Sequence, residues 1–420
     1  MNILIKKAKI IDPNSKHNNQ ICDILIENGK LIKIAKNITN KKIKTFSKKN
    51  LHVSPGWMDI HANFREPGFE FKNDLISGIK SAIKGGFTSV LLMPNTNPVI
   101  DNITSAEYIY KRTRNKIIDV HTAASITKGL KGKELSDMRE LNSIKCRVFT
   151  DDKKSIKTAK LMELALLYSK DFGGLVMNYP NEDDNDIQIN EGEISTMIGI
   201  KGSPNIYEEI MTNRDLCLAE YTKGNLHLSY ISTKESIQLI QKAKQKQQNI
   251  SADVSINNLV MSDHELINFD SNYKFTPPLR SKPDVKSLID GLKNNTIDII
   301  SSDHCPEDID NKEIEFNLSN PGSIGLESMF GLIGKHLSHH LSISEIIEKI
   351  SINPRKIILN QRIKVESNEI ANITLFDPDC EWTFSKEDIK SKSKNSPYIN
   401  HKFKGKALAI YNNKKFKIID

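Results

Sequence analysis

Sulfur is scarce in this chain. Its 420 residues hold five cysteines, Cys22, Cys146, Cys217, Cys305 and Cys380, an odd number set far apart with no Cys-x-x-Cys spacing. That argues against a disulfide framework and a thiolate metal site, and for a reducing compartment. No apolar run reaches the roughly 20 residues that a membrane-spanning helix needs. The N-terminus enters an alternating pattern at once, without the apolar core and cleavage site of a secretory signal. No block of like charge is present either. The formal net charge is +8, but Lys and Arg are scattered among Asn and Ile over the whole length, as on a solvated lysine-rich surface. There is no internal repeat and no low-complexity linker. These absences predict a soluble, cytoplasmic protein with no nucleic-acid and no membrane partner.

What is present has two rhythms. Residues 1 to about 54 carry short apolar runs, Ile3 to Ile11, Asp23 to Glu27 and Lys30 to Ala35, broken by Asp-Pro and Asn-Gly turns, the pattern of a small antiparallel β unit. After Ser54-Pro-Gly56, short apolar strands alternate with amphipathic stretches. Strands are predicted at Trp57 to Ala62, Thr88 to Met93, Ile117 to Ala124, Lys145 to Thr150, Leu175 to Met177, Leu226 to Ile231, Ile250 to Val254 and Ile297 to Ser302. Helices are predicted at Asn73 to Lys84, Thr158 to Lys170, Ile206 to Tyr221, Lys234 to Lys244 and Lys282 to Lys293. Eight strands separated by helices is the count of a (β/α)8 barrel, an α/β TIM-type fold, although alternation alone also admits a doubly wound sheet. From about residue 362 short β runs resume. The expected organisation is a barrel over 55–361 and a small flanking β domain built from both termini, 1–54 and 362–420.

In a barrel, polar residues at the C-terminal ends of strands face a common mouth. The first strand offers Asp59, His61 and Asn63, then Arg65. Later ends carry Asn95, Asp151-Asp152, Tyr179, Tyr230 and Asp303-His304. Strand alternation places His61 and Asn63 on one face, where both can point at one ion, and Asp303 is placed to ligate a metal or to accept a proton from metal-bound water. Plainer roles exist for each. His61 could be a hydrogen-bonded core histidine, Asp151-Asp152 could cap the helix that follows, and Asp303 could hold a neighbouring loop.

Taken in order and spacing, these residues resemble the dihydroorotase branch of the cyclic amidohydrolases over nearly the whole chain. The family's first-strand motif His-x-His-x-Arg-x-Pro-Gly stands here as His61-Ala-Asn-Phe-Arg-Glu-Pro-Gly68. Further matches are Gly85-Gly-Phe-Thr88, Met93-Pro-Asn-Thr-Asn-Pro98, Phe149-Thr-Asp-Asp152, Asn190-Glu-Gly192, Arg214-Asp215, Ser232-Thr233, Pro277-Pro-Leu-Arg280, Asp303-His304 and Pro321-Gly-x-x-Gly-Leu-Glu327. The resemblance implies a metal-bearing (β/α)8 barrel acting between N-carbamoyl-L-aspartate and dihydroorotate in pyrimidine synthesis, with zinc-held hydroxide as nucleophile. It implies that Arg65 and Asn95 grip the anionic substrate. A hydantoinase or allantoinase is the more distant alternative.

The chain departs from that family at the metal positions. The second histidine of the motif is Asn63, and the histidines after strands five and six fall on Tyr179 and Tyr230. Thr276 replaces a substrate-contacting asparagine, and Glu307 replaces the second histidine of Asp-His-x-Pro-His. His61, Asp152 (favoured over Asp151 by its distance from Tyr179) and Asp303 survive as ligands, with Asp303 doubling as base. Zinc prefers three or four nitrogen, sulfur or carboxylate donors, and ionising a tyrosine from a pKa of about 10 costs several kcal/mol at neutral pH. At most one weakly held zinc is expected, with Tyr179 and Tyr230 most simply filling vacated space. Two functional expectations follow: a dihydroorotase with one metal, or a non-catalytic relative, of the kind known in the family, acting as a scaffold in a homo-oligomer or with aspartate transcarbamoylase.

Overall fold

A computed structural model of the chain describes residues 1–182, 189–246 and 249–420. Both chain ends enter one eight-stranded sheet. Its order is Lys415–Ile418, Lys402–Asn412, Ile373–Thr383, His52–Pro55, Ile3–Ile10, Ile21–Glu27 and Lys30–Ala35, with Thr45–Phe46 beside Ile3–Ile10. His52–Pro55 joins the two ends, parallel to Ile3–Ile10 and antiparallel to Ile373–Thr383. The first strand cannot alternate strictly, because Ile3 and Ile5 are odd while Ala8 and Ile10 are even. A bulge between Ile5 and Ala8, with Lys7 at φ +52°, resets the parity. All four apolar residues therefore reach the same core, with Ile24, Leu31, Val53, Ile373, Leu375 and Tyr411.

The remaining strands are parallel. Trp57–Ala62, Phe87–Leu92 and Asp119–Thr122 form one sheet; Val148–Phe149, Leu175–Asn178, Leu226–Leu228, Ile250–Ser255 and Ile299–Ser301 form another. Two seams join them, as parallel bridges Ala124↔Phe149 and Ala62↔His304. Ala124 N donates to Val148 O at 3.0 Å, and Asn63 N to His304 O at 2.9 Å. The strands are buried almost throughout, the signature of parallel sheets covered on both faces. Between them run helices including Leu75–Gly85, Ile103–Thr113, Ala159–Lys170, Ile206–Thr222, Lys234–Gln245 and Lys282–Lys293. The first begins at a reciprocal Asp74/Ser77 cap and stops at Gly86, φ +86°, where a Cβ would lie 2.9 Å from the Trp57 ring.

Helix Ile103–Thr113 is not apparent from periodicity. Only Ser105, Ala106, Ile109 and Thr113 are buried, too thin a stripe, and packing against Asp119–Thr122 decides its state. Helix Met329–His336 was missed for the opposite reason. It is apolar nearly all round and is buried against Lys402–Asn412, where Gly331 and Gly334 let the backbones approach. Trp57, Phe330 and Phe376 close the same junction, with ring centroids 4.4 to 5.5 Å apart. Among the described residues no helix is long and apolar enough to cross a membrane.

Candidate functional site

Polar side chains converge where the parallel strands end, and the backbone is bent to bring them there. Arg65, Asp152, Tyr230 and Asp303 all have positive φ, +64°, +55°, +57° and +49°. A non-glycine residue in that region costs on the order of 1 kcal/mol or more, so four at one mouth mark a place where side-chain direction prevails over backbone comfort. The first strand departs from simple alternation. Asp59 faces Val90 but Ala62 faces Leu92, so one extra residue bulges before the strand ends. Asn63 lies past that end, and its buried Oδ1 has no hydrogen-bond partner.

Asp253, in the middle of strand Ile250–Ser255, is the electrostatic centre. Its Oδ2 lies 2.8 Å from His61 Nε2 and 2.9 Å from His227 Nε2, while Ser301 Oγ donates to Oδ1 at 3.0 Å. His227 Nδ1 is 2.8 Å from Ser251 Oγ. All three centre residues are buried. Burial pushes the Asp253 carboxyl up, but His61 and His227 outweigh it and hold the group well below the usual carboxylate range. His61 moves in the complementary direction: burial lowers it, and Asp253 more than offsets that. Among the described residues, His61, His227 and Asp253 are the three that stand close enough together to share one cation.

The residues expected to hold an ion with His61 are engaged elsewhere. Asp303 Oδ1 accepts from Lys153 Nζ at 2.7 Å, and that ammonium also sits 4.8 Å from the centre of the Tyr230 ring. Burial would lower Lys153, but Asp303, Cys305 and Asp152 raise it above an ordinary lysine. Asp152 takes hydrogen bonds from Asn95 Nδ2 at 2.6 Å and from the Tyr230 hydroxyl at 3.4 Å. Tyr230 stacks on His61 with ring centroids 3.9 Å apart. Burial, then Asp152 and Asp303, push its phenol well above its normal value, so it stays a neutral donor. Tyr179 meets Tyr230 edge-on at 6.2 Å, and its oxygen accepts from Asn181 Nδ2 at 2.8 Å. Asp151 turns away, accepting from the backbone N–H and hydroxyl of Thr127. Neither aspartate caps the next helix, which Thr158 does.

Arg65 is committed along one edge. Its Nε donates to Pro306 O at 3.1 Å, and its Nη2 reaches Cys305 Sγ at 3.0 Å and Glu307 Oε1 at 2.8 Å. His304 acts as an acceptor, its Nδ1 taking N–H groups of Gly325 and Leu326. Burial lowers its pKa to about 4 and keeps it neutral. Thus Asn95, Asp152 and Tyr230 meet around one carboxylate, while Lys153, His227 and Asp253 were not singled out as site residues by sequence reasoning. An acid inside an apolar strand, Ile250-Ser-Ala-Asp-Val254, was the available signal, since a buried charge requires partners.

The fold is shared with solved hydantoinase and dihydropyrimidinase structures. A D-hydantoinase structure aligns with TM-score 0.85 at 20% identity, covering 100% of this chain and 96% of its own. The dihydropyrimidinase from Brevibacillus agri aligns with TM-score 0.84 at 19% identity, covering 100% and 95%. Sequence is more specific. A family model described as Dihydro-orotase-like matches residues 51–236. The dihydroorotase of Caldicellulosiruptor saccharolyticus is 41% identical over 418 residues, 97% of this chain and 95% of that protein. That of Acetivibrio thermocellus is 38% identical over 408 residues, 96% of each. The chain belongs to the dihydroorotase family.

Proposed function

We propose that this protein serves pyrimidine biosynthesis as a dihydroorotase-family subunit that works without zinc and does not interconvert carbamoyl aspartate and dihydroorotate. On this reading its eight parallel strands close into one (β/α)8 barrel, flanked by a β domain of residues 1–54 and 362–420, and the protein scaffolds aspartate transcarbamoylase. The two bridged seams between the parallel sheets support the closed barrel.

The Lys153–Asp303 pair carries the functional reading. A zinc site needs Asp303 as a free donor or base, and here an ammonium lies 2.7 Å from it. The other donors fit poorly. Two positions are tyrosines, one is an asparagine amide, and Asp152 is bonded to Asn95 and Tyr230. The His61–His227–Asp253 group is tied internally. Its N···O separations of 2.8 and 2.9 Å are hydrogen-bond lengths, whereas donors on a tetrahedral zinc, at bonds of about 2.0–2.1 Å, stand about 3.3 Å apart.

The test is elemental analysis of the purified protein, with assays in both directions with and without zinc, and co-migration with aspartate transcarbamoylase. Absent zinc, no turnover and a stable complex are expected; turnover at stoichiometric zinc defeats the reading. The second reading is a one-metal dihydroorotase, with His61, Asp152 and Asp303 around the ion, Asp303 as base, and Arg65 with Asn95 on the substrate. It draws on the spacing of His61, His227 and Asp253, which offers alternative ligands. Zinc bound one to one with turnover is its signature.

A further inference from the structure

We infer that Glu307 is an internal ligand of Arg65, occupying the guanidinium edge that an anionic carboxylate ligand would need. The inference rests on the reading of Arg65 as the anion-binding residue. Glu307 is buried, and each of its oxygens is engaged: Oε1 by Arg65 Nη2 at 2.8 Å, Oε2 by Lys72 Nζ at 2.6 Å and by Asn320 Nδ2 at 3.2 Å. Its backbone N–H is held as well, donating to Asn395 Oδ1 at 3.1 Å. The side chain is thus placed from both ends.

Bidentate recognition of a carboxylate uses two adjacent N–H groups of the guanidinium fork. Here Nε is bonded to Pro306 O, and Nη2 is shared between Cys305 Sγ and Glu307. Either fork requires Nη2, whose two N–H groups go to Cys305 Sγ and Glu307 Oε1, so an incoming carboxylate must displace Glu307 or else displace the thiol and lie against the Glu307 charge. That glutamate is tethered, and its effective concentration is at least in the millimolar range of short linkages. If the Glu307-paired form makes up about 99% of the molecules, the apparent affinity for a competing carboxylate falls about 100-fold. Glu307 also pairs with Lys72, so its single negative charge is shared between two cations and weakens the pull of both on an anion. The residue therefore sets what the mouth accepts: with Glu307 present, small dicarboxylates are disfavoured.

Calorimetric titration of the full chain with N-carbamoyl-L-aspartate tests this. The wild type, Glu307→Gln, Glu307→Asp and the double variant Glu307→Gln/Arg65→Met are compared, each checked by circular dichroism. Glu307→Gln is expected to bind at least about tenfold more tightly than the wild type, with the gain lost in the double variant. If the amide leaves Arg65 and Lys72 too poorly compensated to fold, Glu307→Asp keeps the charge but withdraws it by one methylene, and it should also bind more tightly than the wild type. Wild-type binding within threefold of the folded variant overturns the inference, as does a gain that survives loss of Arg65. Turnover is not a readout here, so a zinc-active wild type defeats the metal-free reading while this one still stands or falls on the binding ratio.

Discussion

Replacing Lys153 by methionine tests whether this ammonium compensates the charge of Asp303. The two side chains are 16% and 2% exposed and 2.7 Å apart, so the pair is essentially buried. Removing one partner of such a pair costs about 3–5 kcal/mol, because the remaining charge is stranded. Loss of the cation over Tyr230 at 4.8 Å adds about 1 kcal/mol. Methionine nearly conserves volume, so the cavity contribution is small. The Lys153→Met protein should thus lose about 4–6 kcal/mol in urea denaturation at pH 8. The pH dependence has a definite sign. Burial already raises Asp303, with Lys153 only partly offsetting it, and without Lys153 it rises further. The folded variant then binds more protons than its unfolded chain, so the deficit relative to wild type shrinks as pH falls toward 5. Lys153→Met/Asp303→Asn should recover most of the loss. A cost under about 1 kcal/mol at pH 8, or an equal cost at pH 5, refutes the assignment.

Lys312 is buried among the carbonyls of Ser271, Asn320 and Gly322 and lowered to about 8, chiefly by burial. Its unfolded form holds the proton up to about pH 10.4, so between these values the unfolded state binds more protons and stability rises with pH. Up to about 3 kcal/mol of that rise should vanish in Lys312→Met, measured by denaturation at pH 7.5 and 10. Asn63→His/Tyr179→His/Tyr230→His should gain zinc affinity by isothermal titration, and adding Lys153→Met should raise it at least about tenfold more; equal affinity of the two variants speaks against Lys153 holding the cation position. Gly334→Ala places a Cβ 1.9 Å from the Lys404 carbonyl, which belongs to a backbone that cannot rotate away. It should lower stability by about 1–3 kcal/mol despite alanine's better helix propensity, read as a drop in Tm.

Much of the fold was legible because parallel strands and amphipathic helices leave periodic traces. Helix Lys282–Lys293 falls where its pattern predicts, and strand Trp57–Ala62 does too. Strand ends were less legible. Ile117 to Ala124 contracts to Asp119–Thr122, though Ala123 N still bonds to Leu92 O at 2.9 Å. Motif order brought Asp152, Tyr230, Asp303 and Arg65 into view one by one. It could not show who pairs with whom, because Lys153–Asp303 spans 150 positions and His61–Asp253 spans 192. The bulge before Ala62 and the positive φ at four strand ends are likewise set by tertiary demand, and bulky residues there give no local warning.

These pairings follow from one electrostatic requirement. Asp152, Asp253 and Asp303 are buried carboxylates at one mouth, and a divalent ion would be the simplest compensation for them. With Asn63, Tyr179 and Tyr230 around them, these carboxylates find positive charge within the chain. Lys153 supplies one unit, held charged by Asp303, and Asp253 raises His61 against the effect of burial. The third carboxylate, Asp152, receives only neutral donors, from Asn95 and Tyr230. Tyrosine suits that task because its phenol stays protonated when buried near acids, whereas a histidine there would titrate near neutrality. The acids of this mouth are thus compensated by side chains from several strand ends, Lys153 and Arg65 among them, rather than by one neighbour each.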